Sequence, residues 1–284
     1  MYTILSLDGG GIRGLYTARL IQRIATAAPS FLGKIDLFAG TSTGGILALG
    51  LAAGFTPEQL VALYLDNASR IFNGNLAAPI EELVRAKYGH DGLMAVLTEK
   101  FGNKKLRDLA HPVLVTTYSC KLREPIDLTQ WHDPDLPVVD AALMTSAAPV
   151  YFPPFGQDFI DGGMTANNPS DAAVAWAVNR GAKDVKEVKV LSIGTGNANR
   201  PPLTPGNWGA IDWLKNGLID LAFEGPSERA TLNSQRLLGE RFCRLDGSVD
   251  CALDETQNLQ AKLLQPADRL SLTAALDFVR GADF

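Results

Sequence analysis

The sequence predicts an α/β fold in which helices cover both faces of a central sheet. Three observations carry that prediction. Apolar, β-branched runs alternate with helix-period segments along most of the 284 residues. Some strand-like runs are apolar almost throughout, as in Val188-Lys189-Val190-Leu191-Ser192-Ile193, a pattern that suits strands buried on both sides. One such run leads into a tight glycine-flanked turn and then a helix-like run, around Gly40-Thr41-Ser42-Thr43-Gly44.

In order, strands are expected over 2–8, 35–40, 113–119, 124–129, 188–194 and 241–245. Helices are expected over 14–28, 43–53, 57–70, 79–87, 137–147, 169–180, 208–223, 226–238 and 268–280. The stretch 197–207, rich in Pro, Gly and Asn, reads as a long loop. Strands fall on both sides of it, so residues 1–284 are expected to form one domain with an excursion. The sequence shows neither internal repeats nor low-complexity tracts.

Composition excludes several classes of function. The hydrophobic share of 46% and charged share of 20% are those of an ordinary globular protein. A formal charge of −5 gives no basic footprint for nucleic acid. Cys120, Cys243 and Cys251 are too few and too irregular for a disulfide framework or a zinc site, and read as buried free thiols. The N-terminus has no basic region and no small-residue cleavage site, so no secretory signal is expected. Leu37 to Phe55 is uncharged but holds five glycines and a Thr-Ser-Thr trio. It is also short against the roughly 20 apolar residues of a membrane span, so it reads as a buried strand, elbow and helix. A cytoplasmic protein, peripheral to membranes rather than spanning them, is the expectation.

The pentapeptide at 40–44 has the G-x-S-x-G form. In a strand–turn–helix context this is a nucleophile elbow, with the serine hydroxyl exposed at the tip of the turn. Gly40 and Gly44 let the chain turn without a Cβ clash. Ser42 is therefore the candidate nucleophile, and the reaction class is acyl transfer.

The first strand runs into Asp8-Gly9-Gly10-Gly11-Ile12-Arg13-Gly14. Gly9, Gly11 and Gly14 match the G-x-G-x-x-G dinucleotide fingerprint. That fingerprint also wants an acid about 20 positions on, at the end of the next strand. Here the second strand ends in Ala39-Gly40-Thr41-Ser42, and its one acid, Asp36, lies near its start. A dinucleotide-binding protein remains the alternative reading. The same glycines suit an oxyanion hole, where one lost N–H donor costs about 2.7–4 kcal/mol. Its donors would be Gly10 or Gly11 together with Thr43, the residue after the nucleophile. Arg13 would hold the loop or attract an anionic head group.

A serine nucleophile needs a base, most often histidine. The chain has only His90, His111 and His132, and none follows Asp161. Asp161, delivered by the apolar strand end Phe159-Ile160 to a double glycine, is the stronger candidate. A carboxylate with a pKa of roughly 3.9 is a weak base, and it serves only if desolvated and helped by an oxyanion hole.

These motifs together resemble the patatin-like phospholipases, which carry D-G-G-G-x-R-G, then G-x-S-x-G, then D-G-G or D-G-A. Here they stand at Asp8 to Gly14, Gly40 to Gly44 and Asp161 to Gly163. Ser146 to Pro154 and Ala166-Asn167-Asn168-Pro169 resemble the family's flanking segments. The resemblance runs from Tyr2 to about Gly196. It implies a three-layer α/β/α sandwich with a mostly parallel sheet, related to the cytosolic phospholipase A2 catalytic domain. It implies Ser42 as nucleophile and Asp161 as its activator, with Gly9, Gly10, Gly11 and Arg13 as the oxyanion loop. It also implies lipid acyl hydrolysis without a cofactor or catalytic metal.

A lipid hydrolase must meet a membrane or micelle surface. On a helix over 208–223, Ile211, Leu214, Leu218 and Leu221 fall on one face, accompanied by Trp208 and Trp213. This segment is read either as a lid or membrane contact, or as core packing.

Overall fold

The computed structural model describes residues 1–72, 85–182, 184–198, 203–281 and 284. The chain begins with β1 (Tyr2–Leu7), α1 (Gly14–Ala27), β2 (Leu37–Thr41), α2 (Thr43–Ala52), α3 (Pro57–Ile71) and α4 (Asp91–Phe101). It continues through β3 (Val113–Ser119), β4 (Glu124–Thr129), α5 (Val138–Thr145), β5 (Phe159–Asp161), α6 (Gly163–Ala166), α7 (Ser170–Arg180) and β6 (Val188–Ile193). It ends with β7 (Asn197–Ala198), α8 (Ala210–Lys215), α9 (Leu218–Leu238), β8 (Phe242–Leu245), β9 (Ser248–Val249), α10 (Gln265–Arg269) and α11 (Thr273–Arg280).

The main sheet has the order β4-β3-β2-β1-β6-β8, with β5 also on β3. The pairs β3–β2, β2–β1, β1–β6 and β6–β8 are parallel, while β4 and β5 run antiparallel to β3. The mostly parallel sheet implied by the family resemblance is thus present.

Period-2 alternation sorts the strand residues between two cores. On one face Leu5, Leu7, Phe38, Val115, Leu191 and Ile193 pack with α1–α5, α10 and α11. On the other, Ile4, Leu37, Ala39, Leu114 and Val190 pack with Ala173, Val174 and Ala177 of α7 and Leu238 of α9. Helix α2 lies in the first layer with all ten residues buried, as its sequence of Gly, Ala, Leu and Ile after Thr43 permits. Helix α3 starts sharply because Thr56 and Gln59 form a reciprocal capping box ahead of Pro57.

The C-terminal third departs most from expectation. The helix expected over 208–223 breaks at Gly217, whose φ of +91° is left-handed, so α8 stops and α9 begins anew. Helix α9 then runs through Pro226, where a new helix was expected to start. Proline removes one N–H donor there, a local loss that 21 residues of helix tolerate. The helix expected over 268–280 is two, α10 and α11, preceded by a π-helical turn over Gln260–Leu264. Helix α4 was not expected, and residues 79–84 of the helix expected over 79–87 lie outside the described residues. Cys243 and Cys251 are buried free thiols as expected, whereas Cys120 is exposed, in the turn after β3.

Candidate active site

The elbow is a strained turn held from several sides. Between β2 and α2, Ser42 adopts φ 55° and ψ −123°, a conformation costing about 1–3 kcal/mol for a residue with a Cβ. The Ser42 N–H donates to Thr145 Oγ1 at 2.8 Å, and its carbonyl accepts from the Ile46 N–H at 3.0 Å. A Cβ on Gly40 would run into the Gly44 carbonyl, and one on Gly44 into the carbonyls of Leu7 and Asp8. The hydroxyls of Thr43 and Tyr64 are paired, and Tyr64 also donates to the Thr43 carbonyl at 3.2 Å.

Strand register explains how Asp161 reaches Ser42 from 119 positions away. Strand β4 occupies one edge of β3 over Leu114–Ser119, so β2 and β5 must share the other edge. Along that edge Thr41 pairs with Thr116, and Asp161 pairs with Thr117. The two strands run in opposite directions and meet end to end, which brings both side chains to the junction.

Asp161 is 1% exposed. Its Oδ1 accepts the Gly163 N–H at 2.7 Å, and its own N–H donates to the Ala147 carbonyl at 3.0 Å. Burial pushes its pKa up to about 7, against the opposing hydrogen bonds from the Ser42 side chain and the Gly163 N–H.

The glycine loop passes directly over Ser42. A Cβ on Gly9 would lie 3.2 Å from the Ser42 Cβ and would collide with the Asn167 side chain. The Gly9 N–H donates to the Asn167 carbonyl at 2.9 Å. Gly9 is thus part of the loop while its own N–H is engaged by Asn167. Arg13 donates from Nη1 to the Gly196 carbonyl at 2.9 Å, which holds the loop. Among the described residues, the N–H groups of Gly10, Gly11 and Thr43 have no backbone acceptor. The Thr43 N–H also opens α2, where the helix dipole favours negative charge.

Ser42, Asp161 and the glycine loop line one pocket. Ile46, Leu63, Ile71, Phe72, Leu93 and Phe152 give it an apolar wall from α2, α3, α4 and the segment before β5. Asp220, Glu224 and Glu228 of α9 give it an acidic one. Among the described residues, no histidine lines it. His90 Nε2 contacts the Pro153 carbonyl at 2.8 Å, His111 packs edge-on to Phe38, and His132 meets Arg180. This arrangement can present a hydroxyl, a desolvated carboxylate and free N–H donors to an ester with an apolar chain.

The patatin-like phospholipase family model matches residues 5–174. The chain belongs to that family. It is 34% identical to a "cGAMP-activated phospholipase" of Pseudomonas aeruginosa, over 96% of this chain and 84% of that one. It is 29% identical to "Patatin-like protein 1" of rice, over 96% and 78% of the two chains. Among solved structures, VipD from Legionella pneumophila superposes with a TM-score of 0.55 at 12% identity, over 97% of this chain and 66% of VipD. This patatin-like chain is accordingly a lipid hydrolase, and the dinucleotide reading of Gly9, Gly11 and Gly14 is not favoured.

In this patatin-like site, several residues were not singled out from sequence. Thr145 holds the elbow, Thr195 donates to the Gly9 carbonyl at 2.9 Å, and Leu253 accepts from the Ile12 N–H at 2.8 Å. A lone Thr or a backbone carbonyl leaves no sequence pattern. Asn167 was in view only as part of a flanking segment. The apolar face drawn through Ile211, Leu214, Leu218 and Leu221 does not exist as one face, because Gly217 divides it. Ile211, Leu218 and Leu221 are exposed, and Trp208 and Trp213 pack edge to face at 5.1 Å.

Proposed function

We propose that this lipid hydrolase is a phospholipase A-type enzyme that cleaves fatty-acyl esters of phospholipids or related glycerolipids through a Ser42–Asp161 dyad. The observation that carries the proposal is the end-to-end meeting of β2 and β5 on one edge of β3, which delivers hydroxyl and carboxyl to one buried point.

The Asp161 carboxylate accepts the Ser42 proton as Oγ attacks the ester carbonyl. The resulting oxyanion is held by the N–H groups of Gly10, Gly11 and Thr43. Collapse expels the lysolipid alkoxide, which takes the proton from Asp161 and leaves an acyl-enzyme. Asp161 then deprotonates a water, whose attack on the acyl carbonyl releases the fatty acid and restores the Ser42 hydroxyl. The apolar wall from Ile46 to Phe152 suits the acyl chain. We read residues 1–284 as one catalytic unit, since β8 in the last third joins the same sheet as β1. The substrate would be met at a membrane or micelle surface. Among the described residues, no helix is long and apolar enough to cross a membrane.

The test is hydrolysis of a phospholipid and glycerolipid panel read by mass spectrometry, with Ser42→Ala and Asp161→Asn proteins as blanks. Because a relative is named for activation by cGAMP, each assay is run with and without that cyclic dinucleotide. Release of fatty acid and lysolipid by the wild type alone is the expected result. Wild-type turnover by either variant would falsify the dyad.

A further inference from the structure

We infer that Arg244 is a positioning residue for the oxyanion donors, acting through Asp8 and Asp246 from outside the pocket. The inference rests on the dyad reading above. Arg244 stands on β8, in register with Ser192 of β6. Its Nη1 donates to Asp8 Oδ1 at 2.9 Å and to Ser192 Oγ at 2.8 Å. Its Nη2 donates to Asp8 Oδ2 at 2.7 Å and to Asp246 Oδ2 at 2.8 Å. This forked, multidentate grip is available to a guanidinium and not to an ammonium.

Asp8 is the residue immediately before Gly9, so Arg244 fixes the start of the glycine loop directly. The end of the loop is fixed through Asp246. Asp246 Oδ1 accepts the N–H groups of Gly196 and Gly247, each at 2.9 Å. The Gly196 carbonyl in turn accepts from Arg13, and the neighbouring Thr195 hydroxyl donates to the Gly9 carbonyl. One guanidinium therefore anchors both flanks of the segment that carries the Gly10 and Gly11 N–H groups. Arg244 itself does not line the pocket, whereas Asp8 and Asp246 do.

Stability is a poor reason for such a cluster. Buried ion pairs often do no better than well-packed apolar residues, because desolvation offsets the attraction. Asp8 shows that tension: burial raises its pKa to about 6 although Arg244 opposes the shift. A cluster that adds little stability yet fixes two loops fits a role in geometry. Arg244, Asp246, Thr195 and Gly196 all lie beyond residues 5–174, the stretch matched by the family model.

The experiment uses the full chain with Arg244→Met, Arg244→Lys and Asp246→Asn. Fluorophosphonate titration counts competent Ser42, so rates are expressed per active site. Two constants are then compared, kcat/KM for an acyl ester and the inhibition constant of a trifluoromethyl ketone, whose adduct places an oxyanion in the same hole. Losing one oxyanion donor outright costs about 10²–10³ in kcat. A displaced loop should cost less, about 10–100-fold for Arg244→Met, with KM changed by less than about threefold. Ketone affinity should fall in parallel, and Arg244→Lys should recover part of both. Asp246→Asn keeps the Asp8–Arg244 pair and weakens the contacts of residue 246 with Arg244, Gly196 and Gly247, so it should show the same pattern at about 3–10-fold. If Arg244→Met does not fold, Asp246→Asn alone decides. Unchanged kcat per labelled site, or a rate loss without loss of ketone affinity, overturns the inference. An active Ser42→Ala protein would instead overturn the dyad.

Discussion

Asp161 and Asp8 line the same pocket, and both are almost wholly buried, at 1% and 3% exposure. Their surroundings differ. Asp8 faces a guanidinium that grips both its oxygens, together with the Ser227 hydroxyl. Among the described residues no cation pairs with Asp161; it is met by one backbone N–H and the Ser42 side chain. Burial raises both pKa values, to about 6 for Asp8 and about 7 for Asp161. Under the proposed mechanism, that difference gives one residue type two roles. A buried carboxylate clamped by an arginine is a strut, while one left without a cation keeps its affinity for a proton and can act as a base.

The largest way to break this comparison is to remove the proton acceptor or its donor. Ser42→Ala and Asp161→Asn should each lower kcat by at least about 10³-fold while leaving circular dichroism unchanged. The strut should behave otherwise. Asp8→Asn leaves Arg244 with Asp246 and the Ser192 hydroxyl, a buried guanidinium short of one charged partner, and so should lower unfolding stability by about 1–3 kcal/mol, measured by denaturant titration. Its kcat should fall by only about tenfold. Equal rate losses at Asp8 and Asp161 would erase the distinction.

A smaller effect sharpens it. The folded protein holds the Asp161 proton more tightly than the unfolded chain does, since the pKa is raised from 3.8 to about 7. Below pH 4 the carboxyl is neutral in both states and costs nothing. As pH rises from 4 through 7, stability is lost, because the charge forms in a desolvated site. Asp161→Asn should therefore raise the melting temperature at pH 8, by about 2–4 °C for each kcal/mol recovered. The gain should shrink toward pH 5, as read by scanning calorimetry. The smallest expected effect is at the elbow. Ser42→Gly relieves the positive φ and should be about 1 kcal/mol more stable than Ser42→Ala.

Legibility in the sequence followed the range of the interactions. The elbow, the glycine loop and Asp161 each sit in a local strand–turn signal, so residue type and spacing brought them into view as candidates. The sheet strands were likewise visible, because apolar runs such as 188–193 reflect burial on both faces. Arg244 and Thr195 were not visible, since their partners Asp8 and Gly9 lie 236 and 186 positions away in sequence, and Asp246 reaches Gly196 across 50. The occupation of the Gly9 N–H by the Asn167 carbonyl was hidden for the same reason. In the last third, Pro226 and Gly217 misled in opposite directions. A proline that reads as a helix start lies mid-helix, and a glycine that reads as helix interior separates two helices.

The central claim is that Asp161 activates Ser42. Its most direct test is the rate of fluorophosphonate labelling of Ser42 from pH 5 to pH 9, which needs no knowledge of the natural lipid. The dyad predicts a rate that follows one ionisation near pH 7, falling about tenfold per unit below it, and that Asp161→Asn abolishes. A rate that stays flat across that range, or that survives Asp161→Asn, would contradict it.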